Sequence, residues 1–216
     1  VKDGVDFIGW TGSNGTQPQK VVQILKGETG SKVYTANYQE LIYRVGENYY
    51  TTLEKAVESC PTGGSTYTTI EVLKDCNDMS NEISIKNKKI IINMNNHTVI
   101  TSKTINIDEN SSTQIIGTGT IKNNTDVAIS VKGELTLGEN DDKDPSTETP
   151  KIESTTTGII STGKLNFYDG VVIGKKSIDG TITDTPNMND DEKYIVITVN
   201  EEDGTQQSYL STPVAY

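Results

Sequence analysis

The sequence predicts an all-β fold whose main body is a parallel β-helix. Three observations predict it. First, Thr, Ile, Val and Tyr favour strands, the Gly, Asn and Asp between them favour turns, and apolar residues make up only 32% of the 216 residues. Second, short apolar strands follow one another from Ile83 to about Ile178, each broken by Asn, Gly, Asp or Lys. Third, matching positions recur: Ile83, Ile105 and Ile129 are 22 and 24 residues apart, and Val99 and Ile121 are 22 apart. Three short strands per repeat of this length is what one coil of a β-helix produces; an antiparallel sandwich explains the number of strands but not the recurring triplet.

Residues 1–40 form a small β module in this reading. Its strands are "VDFIGW", "KVVQIL" and "KVYTANY", separated by the turn formers of "TGSNGTQPQ" and "KGETGS". Trp10, the one tryptophan, is expected to anchor the module's core rather than to stack on a ligand. Residues 41–82 are a linker followed by a helix–strand cap. "NYYTTLEKAVESC" places Leu53, Ala56, Val57 and Cys60 on one helical face, with Thr51 or Thr52 as N-cap, "PTGGST" ends the helix, and "YTTIEVLKD" continues as a strand. A solenoid needs such a lid, because an uncovered first coil exposes apolar side chains and unpaired backbone.

Residues 83–180 are the coils, with strands "ISI", "IIINM", "TVI", "INI", "TQII", "TIK", "AISV", "LTL", "KIE", "GII", "LNF" and "VVI". An acidic insertion at 138–151, "GENDDKDPSTETPK", stretches the spacing from Ile129 to Ile159 to 30. Two prolines and several acids make it a solvated loop. Glu139, Asp141, Asp142 and Asp144 lack the spacing of a calcium-binding loop, so no metal site is expected there. Residues 181–216 supply closing strands, with Asp203-Gly204 as a hairpin turn.

Two stretches resemble known families. "FIGWTGSNGTQPQKVVQILKGETGSKVYTANY" looks like the second half of the Listeria–Bacteroides, or B-type, repeat: Gly9-Trp10 stands for the Gly-Trp pair, and Tyr34, Ala36, Asn37 and Tyr38 for the closing "YANW"-like strand, with Tyr38 where Trp is usual. The resemblance implies a β-grasp-like half-repeat on a bacterial surface, cut from a longer modular chain, since the first half of the repeat is missing. "KKIIINMNNHTVI", "STQIIGTGTIKN" and "GKLNFYDGVVIG" are similar to the coils of right-handed β-helix segments in surface proteins of gut-dwelling Gram-positive bacteria. What this implies is an extracellular, non-catalytic adhesin or display segment, with a host glycan or extracellular protein as partner.

Charge and composition narrow the function. The formal charge is −11 and Arg44 is the only arginine against eighteen lysines, which argues against nucleic acid and anionic membranes. No stretch is long enough for a membrane-spanning helix. Cys60 and Cys76 fall at opposite ends of the predicted helix and strand, so two free thiols are expected rather than a disulfide, and no zinc, redox or cofactor motif surrounds them.

Enzyme chemistry of the kind other β-helices perform was tested on residues. A lyase-type site needs a basic residue beside calcium-holding carboxylates on successive coils, and Arg44 is placed before the helix, away from any coil. Polygalacturonase-type hydrolysis needs paired carboxylates. Gly-His-Gly does not occur, and the Asp pairs at 141–142 and 190–191 sit in loop-like stretches. His97, the only histidine, has Asn95, Asn96 and Thr98 as neighbours; it is expected at a solenoid turn, with Asn96 in a glycine-like, left-handed position, rather than as a base. Phe167, Tyr168 and Asp169 are the only clustered sugar-binding candidates, and core packing for Phe167 with turn roles for the other two is preferred. No catalytic residue, metal ligand or cofactor is therefore assigned, and a carbohydrate-active or carbohydrate-binding fragment is the alternative reading.

Overall fold

The computed structural model describes residues 4–139 and 150–184, and the backbone of two strands at 194–199 and 206–213. Contacts divide the chain into two units, 1–41 and 42–216.

The first unit is a three-stranded antiparallel sheet of β1 (Val5–Gly12), β2 (Gly15–Gln19) and β3 (Tyr34–Glu40), in the order β2-β1-β3. Two expectations are corrected here. "KVVQIL" is not a strand. The chain reverses at Ser13-Asn14, where Gly12 and Gly15 adopt φ of 125° and 111°, so "GTQPQ" takes the place beside β1 and Val21, Ile24 and Leu25 are left exposed. Pro18 is tolerated because β2 is an edge strand. Nor is Trp10 a core anchor: 36% exposed, it packs edge-on against Phe7 at 5.3 Å, and Phe7 packs against Tyr38 at 5.6 Å. A single layer of three strands offers nothing to bury it against, and Gly9 is the one buried residue of the described unit. A Cβ at Gly9 would lie 2.6 Å from Gln19 N, so the Gly-Trp pair is fixed by its glycine.

The second unit is a parallel β-solenoid. Its strands are β4 (Tyr43–Val45), β5 (Asn48–Tyr50), then, after helix α1 (Leu53–Ser59), β6 (Thr68–Val72), β7 (Cys76–Asp78), β8 (Ile83–Ile85), β9 (Lys89–Asn93), β10 (Thr98–Thr101), β11 (Ile105–Ile107), β12 (Ser112–Ile116), β13 (Gly119–Asn123), β14 (Ile129–Val131), β15 (Glu134–Leu137), β16 (Pro150–Ser154), β17 (Thr157–Ser161), β18 (Lys164–Phe167), β19 (Val171–Ile173) and β20 (Lys176–Asp179). Every third strand stacks in parallel, which gives three faces: β6-β9-β12-β15-β18, β7-β10-β13-β16-β19 and β8-β11-β14-β17-β20. Two further strands, β21 (Tyr194–Val199) and β22 (Gln206–Pro213), pair antiparallel; the expected turn at Asp203-Gly204 lies outside the described residues.

The recurring isoleucines are register partners. Ile83, Ile105, Ile129, Ile159 and Ile178 stack in one column, all at most 3% exposed. Ile70, Ile92, Ile115, Leu137 and Phe167 form a second, and Cys76, Val99, Ile121, Ile152 and Val172 a third. Further inward columns, such as Ile85, Ile107 and Val131, join these in a narrow core, where each fully buried Ile or Leu contributes roughly 1.5–3 kcal/mol. The insertion leaves this stacking intact, because Pro150 returns to pair with Gly119.

The coils begin earlier than expected, at Thr68 rather than Ile83. β6 pairs in parallel with β9, and β7 with β10, so the segment read as part of the cap is the first coil itself. The hairpin β4–β5, absent from the sequence reading, pairs antiparallel with β6 and covers its free edge. Arg44 is accordingly corrected too: it sits on β4 beside the first coil, where its guanidinium pairs with Glu71 of β6.

Helix α1 covers the end of the core with Leu53, Ala56 and Val57. Thr52 is its N-cap, accepting from Lys55 N at 3.3 Å. The two preceding amides are satisfied from the first coil: Leu53 N donates to Asp78 Oδ2 at 2.8 Å and Glu54 N to Ser80 Oγ at 2.9 Å. Lys88, nearly buried, donates to the carbonyls of Glu58 and Cys60 at the other end. Both cysteines are free, with burial the main cause that raises each thiol, Cys76 to about 11.

Candidate functional site

The corners that lead from β14 to β15 and from β17 to β18 are tight two-residue turns, and Gly133 and Gly163 set their geometry. Lys132 N and Gly133 N both donate to Ile107 O; one coil later, Thr162 N and Gly163 N both donate to Val131 O. A Cβ at Gly133 would lie 2.3 Å from Ser111 O, and one at Gly163 2.1 Å from Gly133 O. Successive corners therefore stack closer than any side chain would permit. An open groove runs along them, lined by Lys89, Ser112, Lys132, Glu134, Thr162 and Lys164 among others.

Register builds the groove's wall. Lys89, Ser112, Glu134 and Lys164 are partners on β9, β12, β15 and β18, so they form one row across the coils. At about 4.8 Å per strand that row is roughly 14 Å long. The hydroxyls of Tyr67 and Ser112 bond at 2.7 Å, Ser112 Oγ donates to Glu134 Oε2 at 3.2 Å, and Asn166 Nδ2 donates to Glu134 Oε1 at 3.0 Å. Neutral donors thus hold the carboxylate. Lys89 Nζ donates to Ser65 O at 3.2 Å and lies 5.9 Å from the centre of the Tyr67 ring. Lys132 and Lys164 have neither an ion pair nor a side-chain hydrogen bond among the described residues.

Three other lysines of the coils, Lys122, Lys151 and Lys176, are spent on partners. Lys122 and Lys151 reach Glu153 at 2.5 and 2.9 Å and hold its carboxyl below the usual range. Lys176 reaches Asp179 at 2.6 Å. The groove thus carries hydroxyls, one carboxylate held by neutral donors, and the two unpartnered ammonium groups of Lys132 and Lys164. Such a surface can donate hydrogen bonds and attract anions.

The residues singled out from sequence fall elsewhere. Asn96 has φ of 64° and Asn95 of 46°, which makes "NNH" the expected left-handed corner. His97 sits on that corner, and stacking supplies a carboxylate that its sequence neighbours did not: Asp75 Oδ1 lies 3.3 Å from Nδ1. Asp75 also accepts from Thr98 N at 2.8 Å, and this bond more than the histidine holds its carboxyl below the usual range. The pair braces two coils. Phe167 is fully buried in the second core column, Tyr168 donates to Asp184 Oδ2 at 2.7 Å, and Asp169 is 4% exposed beside Gly138. Glu139 is exposed, whereas Asp141, Asp142, Asp144 and the Asp190-Asp191 pair lie outside the described residues.

One motif was passed over in the sequence. Asn124-Thr125-Asp126 carries the Asn-Thr-Asp triplet of polygalacturonase-type sites. It occupies an exposed corner after β13, where Asn123 Oδ1 accepts from Thr125 N and Asp126 N, both at 2.9 Å. The neighbouring coils reach this corner through Ser102 O and Ser154 Oγ rather than through a second carboxylate. Its geometry is that of an Asx turn. No group of three or more His, Cys, Asp or Glu side chains able to hold a metal occurs among the described residues.

Comparison with protein-family models, with curated proteins and with solved structures found no match, so the resemblance to B-type repeats and to bacterial surface β-helices rests on the motifs alone. Fold and site define the class: a parallel β-solenoid with a polar groove across its coils. No helix among the described residues is long and apolar enough to cross a membrane.

Proposed function

We propose that the chain is a non-catalytic segment of a bacterial cell-surface protein that displays a rigid polar face, either to bind a host glycan or extracellular protein or to hold other modules away from the wall. One observation carries this reading: in-register stacking aligns short polar side chains such as Gln114, Thr136 and Asn166 into outward ladders beside the groove. A solenoid obtains such a surface from a narrow core, so reach costs little apolar material. The motifs of residues 7–38 and 88–174 supply the extracellular location and the membership of a longer chain.

A carbohydrate-active β-helix fragment is the second reading, favoured by the groove and by the Tyr168–Asp184 pair near its far end, where Thr183 lines the groove. One panel separates the two. The chain is incubated with polygalacturonate, pectin, mucin and glycosaminoglycans, with and without calcium, and then presented to glycan and matrix-protein arrays. The display reading expects no new reducing or unsaturated ends and retention on an array. Cleavage of any polymer would replace it with the second reading.

A further inference from the structure

We propose that the corner groove binds a linear acidic polysaccharide, laid along the stack of coils so that Lys132 and Lys164 each meet an acidic group. This rests on the display reading above and names the ligand class of its groove.

The spare cations come first. Lys122, Lys151 and Lys176 are each paired with a carboxylate within 3 Å, whereas Lys132 and Lys164, on successive coils of one groove, have no partner among the described residues. Lys103, the other coil lysine in that position, is exposed on a different corner. The corner chemistry also repeats: the Lys132-Gly133-Glu134-Leu135 and Thr162-Gly163-Lys164-Leu165 corners use the same pair of amide bonds one coil apart. A surface that repeats along an axis suits a polymer that does the same.

The remaining groups select the kind of polymer. Glu134 follows Lys132 by two residues on one coil and is the register partner of Lys164 on the next, with Ser112 as its partner on the other side. Its oxygens keep lone pairs free to accept from the sugar hydroxyls that lie between a polymer's acidic groups. Tyr67, 42% exposed beside Lys89, offers a ring face at one end for a sugar to stack on. Arginine, which serves bidentate phosphate contacts, is absent from the groove.

Net charge does not forbid this. Residues 140–149, 185–193 and 200–205 hold ten acids and two lysines, so most of the chain's −11 is carried outside the described coils.

The full chain is run in affinity electrophoresis through gels containing heparin, polygalacturonate or dextran, at low ionic strength and again at about 0.5 M salt. Retention by heparin, polygalacturonate or both, abolished by salt, is expected; which polymer retains it separates sulfate from carboxylate recognition. The double variant Lys132→Gln/Lys164→Gln should bind about tenfold more weakly, while Lys103→Gln should not differ from the parent. Three results would overturn the proposal: equal retention by dextran, an equal loss in Lys103→Gln, or no retention by either acidic polymer. If the acidic polymers fail but dextran or a matrix protein is retained, the display reading survives without this ligand; cleavage of a polymer removes both.

Discussion

Asn96 and Thr113 illustrate what single residues decide in this solenoid. Asn96 takes a left-handed backbone at the corner before β10, and its identity was readable because asparagine accepts that conformation at little cost. Thr113 is different. It occupies an inward position of β12, stacked between Ile90 and Leu135, is fully buried, and its hydroxyl has no hydrogen-bond partner among the described residues. The alternation of "STQII" could not reveal this, since a threonine's facing depends on the register of two other coils. Replacing Thr113 by Val keeps the shape and removes the unpaired hydroxyl. We expect Thr113→Val to raise the unfolding free energy by about 1–2 kcal/mol in urea titration; a loss of stability would mean that the hydroxyl has a partner.

At the scale of elements, the coil strands were legible because each alternates inward Ile, Val or Leu with outward polar residues. β4 and β5 were not, because they pair antiparallel, outside the coil period; β6 and β7 keep that period, with Ile70 and Cys76 lying 22 and 23 residues before their partners Ile92 and Val99, but directly follow the helix and so read as part of its cap. "KVVQIL" failed for the opposite reason, being apolar enough for a strand but left without a neighbour once the chain turned at Ser13-Asn14. What joins the helix to the first coil is Asp78. Its carboxylate accepts from Tyr43 OH at 2.7 Å, Leu53 N at 2.8 Å and Ser80 N at 3.0 Å, and it is 5% exposed. Burial, reinforced by the facing Asp78 charge, pushes the Tyr43 hydroxyl far up, so Tyr43 remains a donor to it. Asp78→Ala strips partners from a buried hydroxyl and a helix N-terminal amide. It should cost about 3–5 kcal/mol and speed amide exchange first at Leu53 and Glu54; a change below about 1 kcal/mol would show the cap to be held by packing alone.

For the whole molecule, the solenoid was foreseen from spacing but the groove was not. Lys89, Lys132 and Lys164 lie far apart in sequence with unequal intervals, and the insertion at 138–151 falls between the second and third. Only the pairing of Glu134 with Lys164 across that insertion brings them into one groove. The matched "KGEL" and "TGKL" corners were the available signal. Of the catalytic candidates offered by histidine, arginine and paired acids, stacking turns the two described ones into braces, His97 on Asp75 and Arg44 on Glu71.

Both the display reading and the acidic-glycan proposal depend on that register, and cysteine pairing tests it directly. With Cys60 and Cys76 replaced by alanine, Thr136→Cys/Asn166→Cys joins outward partners on β15 and β18, whose side chains already bond at 3.2 Å. Adjacent strands lie about 4.8 Å apart, within disulfide reach. Thr136→Cys/Lys164→Cys is displaced by two residues along the strand, beyond the roughly 7 Å that a disulfide spans. Mild oxidation followed by mass spectrometry of the intact chain should show an intramolecular disulfide in the first variant and two free thiols in the second. A disulfide in the second variant alone would contradict the register, and with it the alignment of Lys132 and Lys164 along one groove.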